Sequence, residues 1–203
     1  MSLARLLQLA SPALPVGAYS YSQGLEAAVE AGIVKDAPSA QAWISDALEL
    51  LARFEAPVLW KMMQGEPLND FFVASRETAE LRAETLQMGH SLKKLIEELG
   101  LGSVPEPEPA YPTAFAFAVK QMKVEPRAAL VAYLWSWLEN QVMAAIKAVP
   151  LGQTAGQRIL LALGNRLEAI ADKAVEREPL NFAPGLAVLS ARHETQYSRL
   201  FRS

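Results

Sequence analysis

Apolar side chains recur at steps of three and four residues along four stretches of the chain, and this spacing is typical of one face of an α-helix. Short runs that alternate apolar and polar residues, as strands do, are scarce. A helix with one apolar face needs another helix to cover it, so the pattern predicts an all-α, single-domain helical bundle. The four stretches span residues 44–58, 81–99, 131–149 and 160–174.

Proline, glycine and capping residues indicate where these helices begin and end. Glu125-Pro126 predicts the start of the third helix, because proline is favoured in the first turn, and Pro150 predicts its end. Gly100 is expected to terminate the second helix. Thr154 and Gln157 fit a capping box that would open the fourth.

Three segments interrupt the helical pattern: residues 11–24, the proline-rich residues 103–112, and the end of the chain from residue 178. Alternating prolines favour an extended connection, and the stretches on either side of it lack separate cores, so we expect a loop within one domain. A chain end without packing partners frays. The sequence therefore predicts an all-helical domain over residues 1–178 and a flexible C-terminal tail over residues 179–203.

The composition excludes several classes of protein. The 203 residues are 51% hydrophobic, which suffices for one core and leaves apolar surface for a partner. With 19 basic and 22 acidic residues the formal net charge is −3, so a nucleic-acid-binding surface is not expected. No run of about 18 apolar residues could span a membrane, and no convincing signal segment opens the chain. The cytoplasm is the expected location.

The side chains offer little chemistry. The sequence has no cysteine, and its two histidines cannot build a multi-histidine metal centre within one chain. Neither of the common glycine-rich phosphate-binding motifs is present. We therefore expect no catalytic site, no resident metal and no other cofactor.

The segment Ser20-Tyr21-Ser22-Gln23-Gly24 is a near match to a nucleophile elbow, but a serine replaces the first glycine and no strand precedes it. A small helical hydrolase that uses Ser22 and His193 is the enzymatic alternative. The structural alternative is that Tyr19 and Tyr21 pack inside the protein while the serines cap a short helix over residues 25–31.

The last twelve residues combine three arginines with aromatic and aliphatic side chains. Arginine and aromatic residues are the types that anchor protein interfaces, and a flexible segment rich in them is typical of folding upon binding. An unimportant extension would have the same composition, and composition alone leaves both possibilities open.

Four blocks, taken in order, resemble the UreF family of urease accessory proteins, and together they cover nearly the whole chain. Ala18 departs from the family pattern, which often has a second glycine there. The blocks are residues 9–26, which contain Pro12-Ala13-Leu14-Pro15-Val16-Gly17, residues 76–89, the turn Val149-Pro150-Leu151-Gly152-Gln153-Thr154, and Ser198-Arg199-Leu200-Phe201-Arg202-Ser203.

The resemblance implies a non-enzymatic, all-helical, homodimeric maturation factor. Such a protein would bridge a mostly-β scaffold, UreD or UreH, and the GTPase UreG while nickel is inserted into apo-urease, and it would gate GTP hydrolysis. A regulator of a GTPase that acts without the scaffold is the second alternative.

The resemblance also implies which residues meet these partners. The end of the chain would dock into the scaffold through Tyr197, Arg199, Leu200, Phe201 and Arg202. Tyr19 lies on the loop that would shape the working surface. The polar family positions would contact the GTPase or, alternatively, tie loops to helices inside the protein; they are Glu26, Arg76, Glu77 and Gln153.

Overall fold

The computed structural model describes residues 3–203, and all regular elements in that range are helices, which confirms the all-α, single-domain prediction. A short 3-10 turn at Ala18–Ser20 separates the first two α-helices. The α-helices are α1 (Leu3–Leu9), α2 (Leu25–Glu30), α3 (Ala37–Arg53), α4 (Glu55–Met63), α5 (Asn69–Ala74), α6 (Ala79–Glu98), α7 (Tyr111–Gln121), α8 (Pro126–Ala148), α9 (Gln153–Gly164), α10 (Leu167–Glu176) and α11 (Pro184–His193).

The long helix α8 is the centre of the bundle. It packs against α1, α2, α3, α4, α9 and α10. Its buried residues include Leu130, Leu134, Leu138 and Val142, and a helix that is apolar over most of its surface is stable only when other helices surround it. Helices α6 and α7 pack closely against each other and are connected to this centre through α4, which contacts both α7 and α8.

Two of the four predicted helical stretches are each divided into two helices. The first breaks at Phe54, whose φ of −121° and ψ of −67° lie outside helical geometry and whose side chain is buried. The fourth breaks after Gly164, so α9 and α10 share its apolar residues. Periodicity continues across both breaks because the two helices of each pair bury their apolar sides in the same core.

The predicted helix boundaries are largely confirmed. Helix α8 starts at Pro126, and the Glu125 carboxylate accepts hydrogen bonds from the two backbone N–H groups that follow this proline. Helix α6 is followed by Gly100 in the left-handed conformation, with φ of 68°. The capping box at Thr154 is wrong, because α9 has Gly152 as its N-cap and no side chain caps it.

The proline-rich segment is a loop within the domain, as predicted, and connects α6 to α7. It crosses α6 at Gly89, where a Cβ atom would lie 1.9 Å from the Pro109 carbonyl oxygen. The loop is fastened by the Asn69 Oδ1 atom, which accepts a hydrogen bond from the Ala110 N–H at 2.9 Å. Gly89 thus allows the backbone of the loop to lie directly against the helix.

The end of the chain is not a flexible tail, contrary to the sequence-based expectation. Residues 184–193 form α11, which packs against α2, and the residues after it return to the bundle, where Phe201 and Ser203 are buried. The segment remains ordered because its backbone and side chains find specific partners, described below. Among residues 3–203, none of the helices combines the length and the apolar character needed to cross a bilayer.

Candidate partner-binding surface

The last residues of the chain pair with the loop that precedes α2. We name residues 194–203 the tail segment and residues 11–24 the N-terminal loop. The Ser22 N–H donates to the Ser203 carbonyl oxygen at 2.7 Å, and the Arg202 N–H donates to the Ser20 carbonyl oxygen at 2.8 Å. Two backbone hydrogen bonds therefore join the two segments side by side.

The buried Glu26 side chain, in the first turn of α2, binds the backbone of the tail segment from the interior of the protein. Its carboxylate accepts hydrogen bonds from the N–H groups of Leu200 at 2.6 Å and Phe201 at 2.9 Å. It also lies 3.1 Å from His193 Nε2. Glu26 is only 6% exposed, so these three neighbours are the means by which its buried charge is satisfied.

Phe201 anchors the tail segment by burial. Its side chain is 5% exposed, and the Lys147 ammonium, at the end of α8, lies 4.5 Å from the centre of its ring. This distance is that of a cation–π contact. The aromatic ring therefore connects the end of the chain to the central helix of the bundle.

Two further carboxylates, one helical turn apart on α6, complete the attachment. Glu80 binds His193 Nδ1 at 2.7 Å and Arg199 Nη1 at 2.6 Å. Glu84 accepts hydrogen bonds from Gln23 Nε2 at 2.5 Å and from the Ser203 hydroxyl at 2.7 Å. Burial raises the pKa of Glu84 to about 7, although these two hydrogen bonds oppose the rise.

The outer side of the tail segment presents apolar and basic groups to solvent. Tyr197 is fully exposed, Leu200 is 56% exposed, and Tyr19 on the N-terminal loop is 75% exposed. Arg199 and Arg202 of the tail segment are exposed as well. We name this set of five exposed side chains the tail face.

The structure separates the sequence-predicted site residues into two groups. Glu26 and Phe201 are internal and hold the tail segment. Arg76 is also largely buried, and its Nη1 lies 3.2 Å from Glu55 Oε2. Glu77 and Gln153 are exposed, the latter as the first residue of α9.

Arg76 lies beside a cavity of about 220 Å³ beneath the N-terminal loop. The Glu55 carboxylate, which also accepts a hydrogen bond from the Tyr133 hydroxyl, lines the same cavity with Glu84. Burial, and then the Glu55 charge, raise the pKa values of Tyr111 and Tyr133, so both phenols remain protonated. The polar part of the cavity wall thus includes two neutral phenols and an ion pair already satisfied within the protein, and many of the other lining side chains are apolar.

Ser22 and His193 do not form a nucleophile–base pair. The Ser22 hydroxyl donates to the Ser203 carbonyl oxygen at 2.5 Å and accepts from the Glu26 N–H, while both nitrogens of His193 bind glutamates. This geometry speaks against the hydrolase alternative. The structural alternative is confirmed for Tyr21, which is buried, and is wrong for the exposed Tyr19. The N-cap of α2 is Gly24 rather than a serine, although the Ser22 hydroxyl accepts a hydrogen bond from an N–H group in the first turn.

Sequence reasoning missed the residues that hold the tail segment, namely Glu80, Glu84 and Lys147. One signal was available, since Glu80 and Glu84 are four residues apart and therefore share one face of α6. No such signal linked them to His193 or Ser203, more than a hundred residues away. Across residues 3–203, no group of three or more histidine, aspartate or glutamate side chains has an arrangement that could hold a metal ion.

The fold defines an all-helical, single-domain protein with a C-terminal segment bound back onto its core. Comparison with known proteins then assigns the family. The sequence model of the UreF family matches residues 34–164, and relatives described as urease accessory protein UreF align over all of this chain. The chain belongs to the UreF family, which confirms the resemblance found in the four sequence blocks.

These relatives are similar to the chain over nearly their whole length. The protein from Janthinobacterium sp. (strain Marseille) is 51% identical, and the alignment covers 100% of this chain and 98% of the relative. The protein from Azoarcus sp. (strain BH72) is 54% identical, with 100% and 96% covered. That from Dechloromonas aromatica (strain RCB) is 50% identical, with 100% and 98% covered.

Proposed function

We propose that this chain acts in urease maturation as a non-catalytic adaptor in the cytoplasm. It binds the scaffold protein UreD or UreH and the GTPase UreG, and the assembly delivers nickel, as cargo, to apo-urease. Membership of the UreF family and the description of its relatives as urease accessory proteins support this role.

The tail face is the observation that carries the proposal. Tyr197 and Leu200 expose apolar surface that gains about 1.5–3 kcal/mol per side chain when a partner covers it fully. Arg202 offers forked hydrogen bonds to carboxylates or carbonyl oxygens of that partner. Because the tail segment is already ordered, docking loses less conformational entropy than it would for a free chain end.

The scaffold contact is tested by the double variant Tyr197→Ala/Leu200→Ala. Both side chains point outward, so the fold is retained, while co-purification with UreD or UreH weakens by about 10- to 100-fold. The matched control is Leu180→Ala, an exposed leucine on the connection between α10 and α11. Equal scaffold binding by the double variant and the control would contradict the proposal.

Deletion of residues 197–203 is a less specific test of the same contact. It removes Phe201 from the core and takes the hydrogen-bond donors of the tail segment away from Glu26 and Glu84. Loss of scaffold binding could then have two causes, the missing contact surface and the perturbed packing of the bundle. The point variants separate these effects.

The GTPase contact is assigned to the exposed members of the polar set, Glu77 and Gln153. Glu26 and Arg76 act through the protein interior, since their carboxylate and guanidinium groups bind within the chain. The test is binding of GTP-loaded UreG, and its rate of GTP hydrolysis, with the parent chain and with Glu77→Ala/Gln153→Ala. If the double variant matched the parent in both measurements, Glu77 and Gln153 would not be the residues that contact the GTPase.

The proposal includes a homodimer. Leu161 is exposed on α9, and a Cβ added at Gly164, three residues further on, would lie 3.1 Å from the Trp135 ring on α8. Trp135 is itself partly exposed, so α8 and α9 carry adjoining apolar groups at the surface. Sedimentation velocity of the purified chain tests the assembly, with a dimer expected for the parent and a monomer for Leu161→Glu.

A further inference from the structure

His193 is enclosed between two carboxylates. The side chain is 0% exposed, and its two ring nitrogens lie 2.7 Å from Glu80 Oε2 and 3.1 Å from Glu26 Oε2. A carboxylate can only accept hydrogen bonds, so both contacts are hydrogen bonds only when both ring nitrogens carry protons. The neutral imidazole has one N–H, and its second nitrogen would direct a lone pair at a buried negative charge.

The groups around this histidine are the same groups that hold the tail segment. Glu26 also accepts the backbone N–H groups of Leu200 and Phe201, and Glu80 also binds Arg199. Glu194, the first residue of the tail segment, reaches the start of α6, where its carboxylate accepts a hydrogen bond from the Ala79 N–H. His193 thus joins the two carboxylates, those of Glu26 and Glu80, that hold the tail segment.

Glu84 is a buried titratable group at the other end of the same segment. It lies one turn from Glu80, it is buried, and the Ser203 hydroxyl rests on its carboxyl group. The charged groups that face it are Arg76, which favours the carboxylate, and Glu55, which opposes it. Ionisation of Glu84 thus places another buried negative charge against the end of the chain.

We propose that the tail segment is a pH-sensitive latch, closed at mildly acidic pH and progressively released as the pH rises above neutrality. Release separates Ser203 from Ser22 and Arg202 from Ser20, so the N-terminal loop loses its backbone partner. The tail face and the loop are then no longer held in one arrangement.

The direction of the pH effect comes from the titration of Glu84. The pKa of Glu84 is about 7 when buried and has a reference value of 4.5, so its protonated form stabilises the closed latch, and this contribution is lost as the pH rises through 7. Taking 4.5 for the open state, Glu84 alone raises the open-to-closed ratio about tenfold between pH 6.0 and 8.5.

Amide hydrogen exchange of the full-length chain tests the latch. Exchange of residues 199–203 is followed by mass spectrometry at pH 6.0 and pH 8.5, and each rate is divided by that of an unstructured peptide of the same sequence. We expect protection to fall at least about tenfold at the higher pH. Equal protection at the two pH values would overturn the proposal.

Variants identify the responsible groups. Glu84→Gln resembles the protonated acid, so the loss of protection at pH 8.5 should be about tenfold smaller than in the parent. His193→Gln should reduce protection at pH 6.0, and His90→Gln, which changes the exposed histidine of α6, is the matched control and should behave as the parent.

Glu84→Gln also keeps the test decisive if His193→Gln does not fold, because it replaces a buried carboxyl group by an amide of the same shape. Two results would contradict the latch. One is a Glu84→Gln protein whose protection depends on pH as strongly as that of the parent. The other is a His90→Gln protein that loses as much protection at pH 6.0 as the His193→Gln protein.

Discussion

Replacement of Glu26 by alanine distinguishes the two roles considered for this residue. If Glu26 contacted a partner directly, its loss would weaken binding and leave the free protein unchanged. The structure instead places its carboxylate under the N–H groups of Leu200 and Phe201 and beside His193. We therefore expect Glu26→Ala to detach the tail segment while the rest of the bundle remains folded.

The size of the effect follows from the donors that lose their acceptor. Two backbone N–H groups and one imidazole N–H remain, and an unsatisfied buried donor costs about 1–3 kcal/mol. The lower end of this range applies, because water can reach a segment at the surface. Three donors at about 1 kcal/mol each give about 3 kcal/mol, which raises the open fraction of the tail segment about 150-fold.

Amide exchange of residues 199–203, measured at pH 6.0, is the assay, with Glu77→Ala as the matched control because Glu77 is exposed. Protection of Leu200 and Phe201 should fall about 150-fold in Glu26→Ala and stay unchanged in the control. Unchanged protection in Glu26→Ala, together with weaker partner binding, would refute this reasoning and favour direct contact. An equal loss of protection along α8 would contradict the prediction that only the tail segment detaches.

Two further substitutions test the packing beneath the N-terminal loop and around α6. Gly89→Ala places a methyl group against the Pro109 backbone, so it should lower the free energy of unfolding by about 2–4 kcal/mol in urea, whereas Gly185→Ala, whose Cβ meets open space, should not lower it. Arg76→Ala leaves the largely buried Glu55 carboxylate without its ion-pair partner. It should lower the free energy of unfolding by about 3 kcal/mol in the same assay. A loss below 0.5 kcal/mol in either protein would count against the corresponding contact.

The folded-back tail segment changes how the family resemblance is interpreted. The terminal block Ser198–Ser203 contains side chains with two different tasks. Phe201 and the backbone fix the segment to α2 and α8, and the Ser203 hydroxyl fixes it to α6, while Leu200 and Arg202 are exposed. Substitutions within this block should therefore divide into those that disorder the segment and those that alter only its surface.

The sequence by itself determined the helical class, both ends of α8 and the end of α6. Apolar spacing, the Glu125-Pro126 start and the Gly100 stop act within a few residues, so they can be identified without knowledge of the rest of the chain. The same spacing could not show that Phe54 interrupts one stretch, because the two helices on either side of it bury their apolar residues in one core. The resemblance likewise located the important loop and chain end without showing which side chains face inward.

Only the tertiary structure decided the fate of the C-terminal residues. Ser22 and Ser203 are separated by 181 positions, and the three glutamates that hold the tail segment lie on α2 and α6. A segment rich in arginine and aromatic residues has the same amino-acid composition whether it docks onto a partner or onto its own chain. The choice depends on hydrogen-bond acceptors and apolar surface brought to one place by folding, and no local pattern in the sequence records their positions.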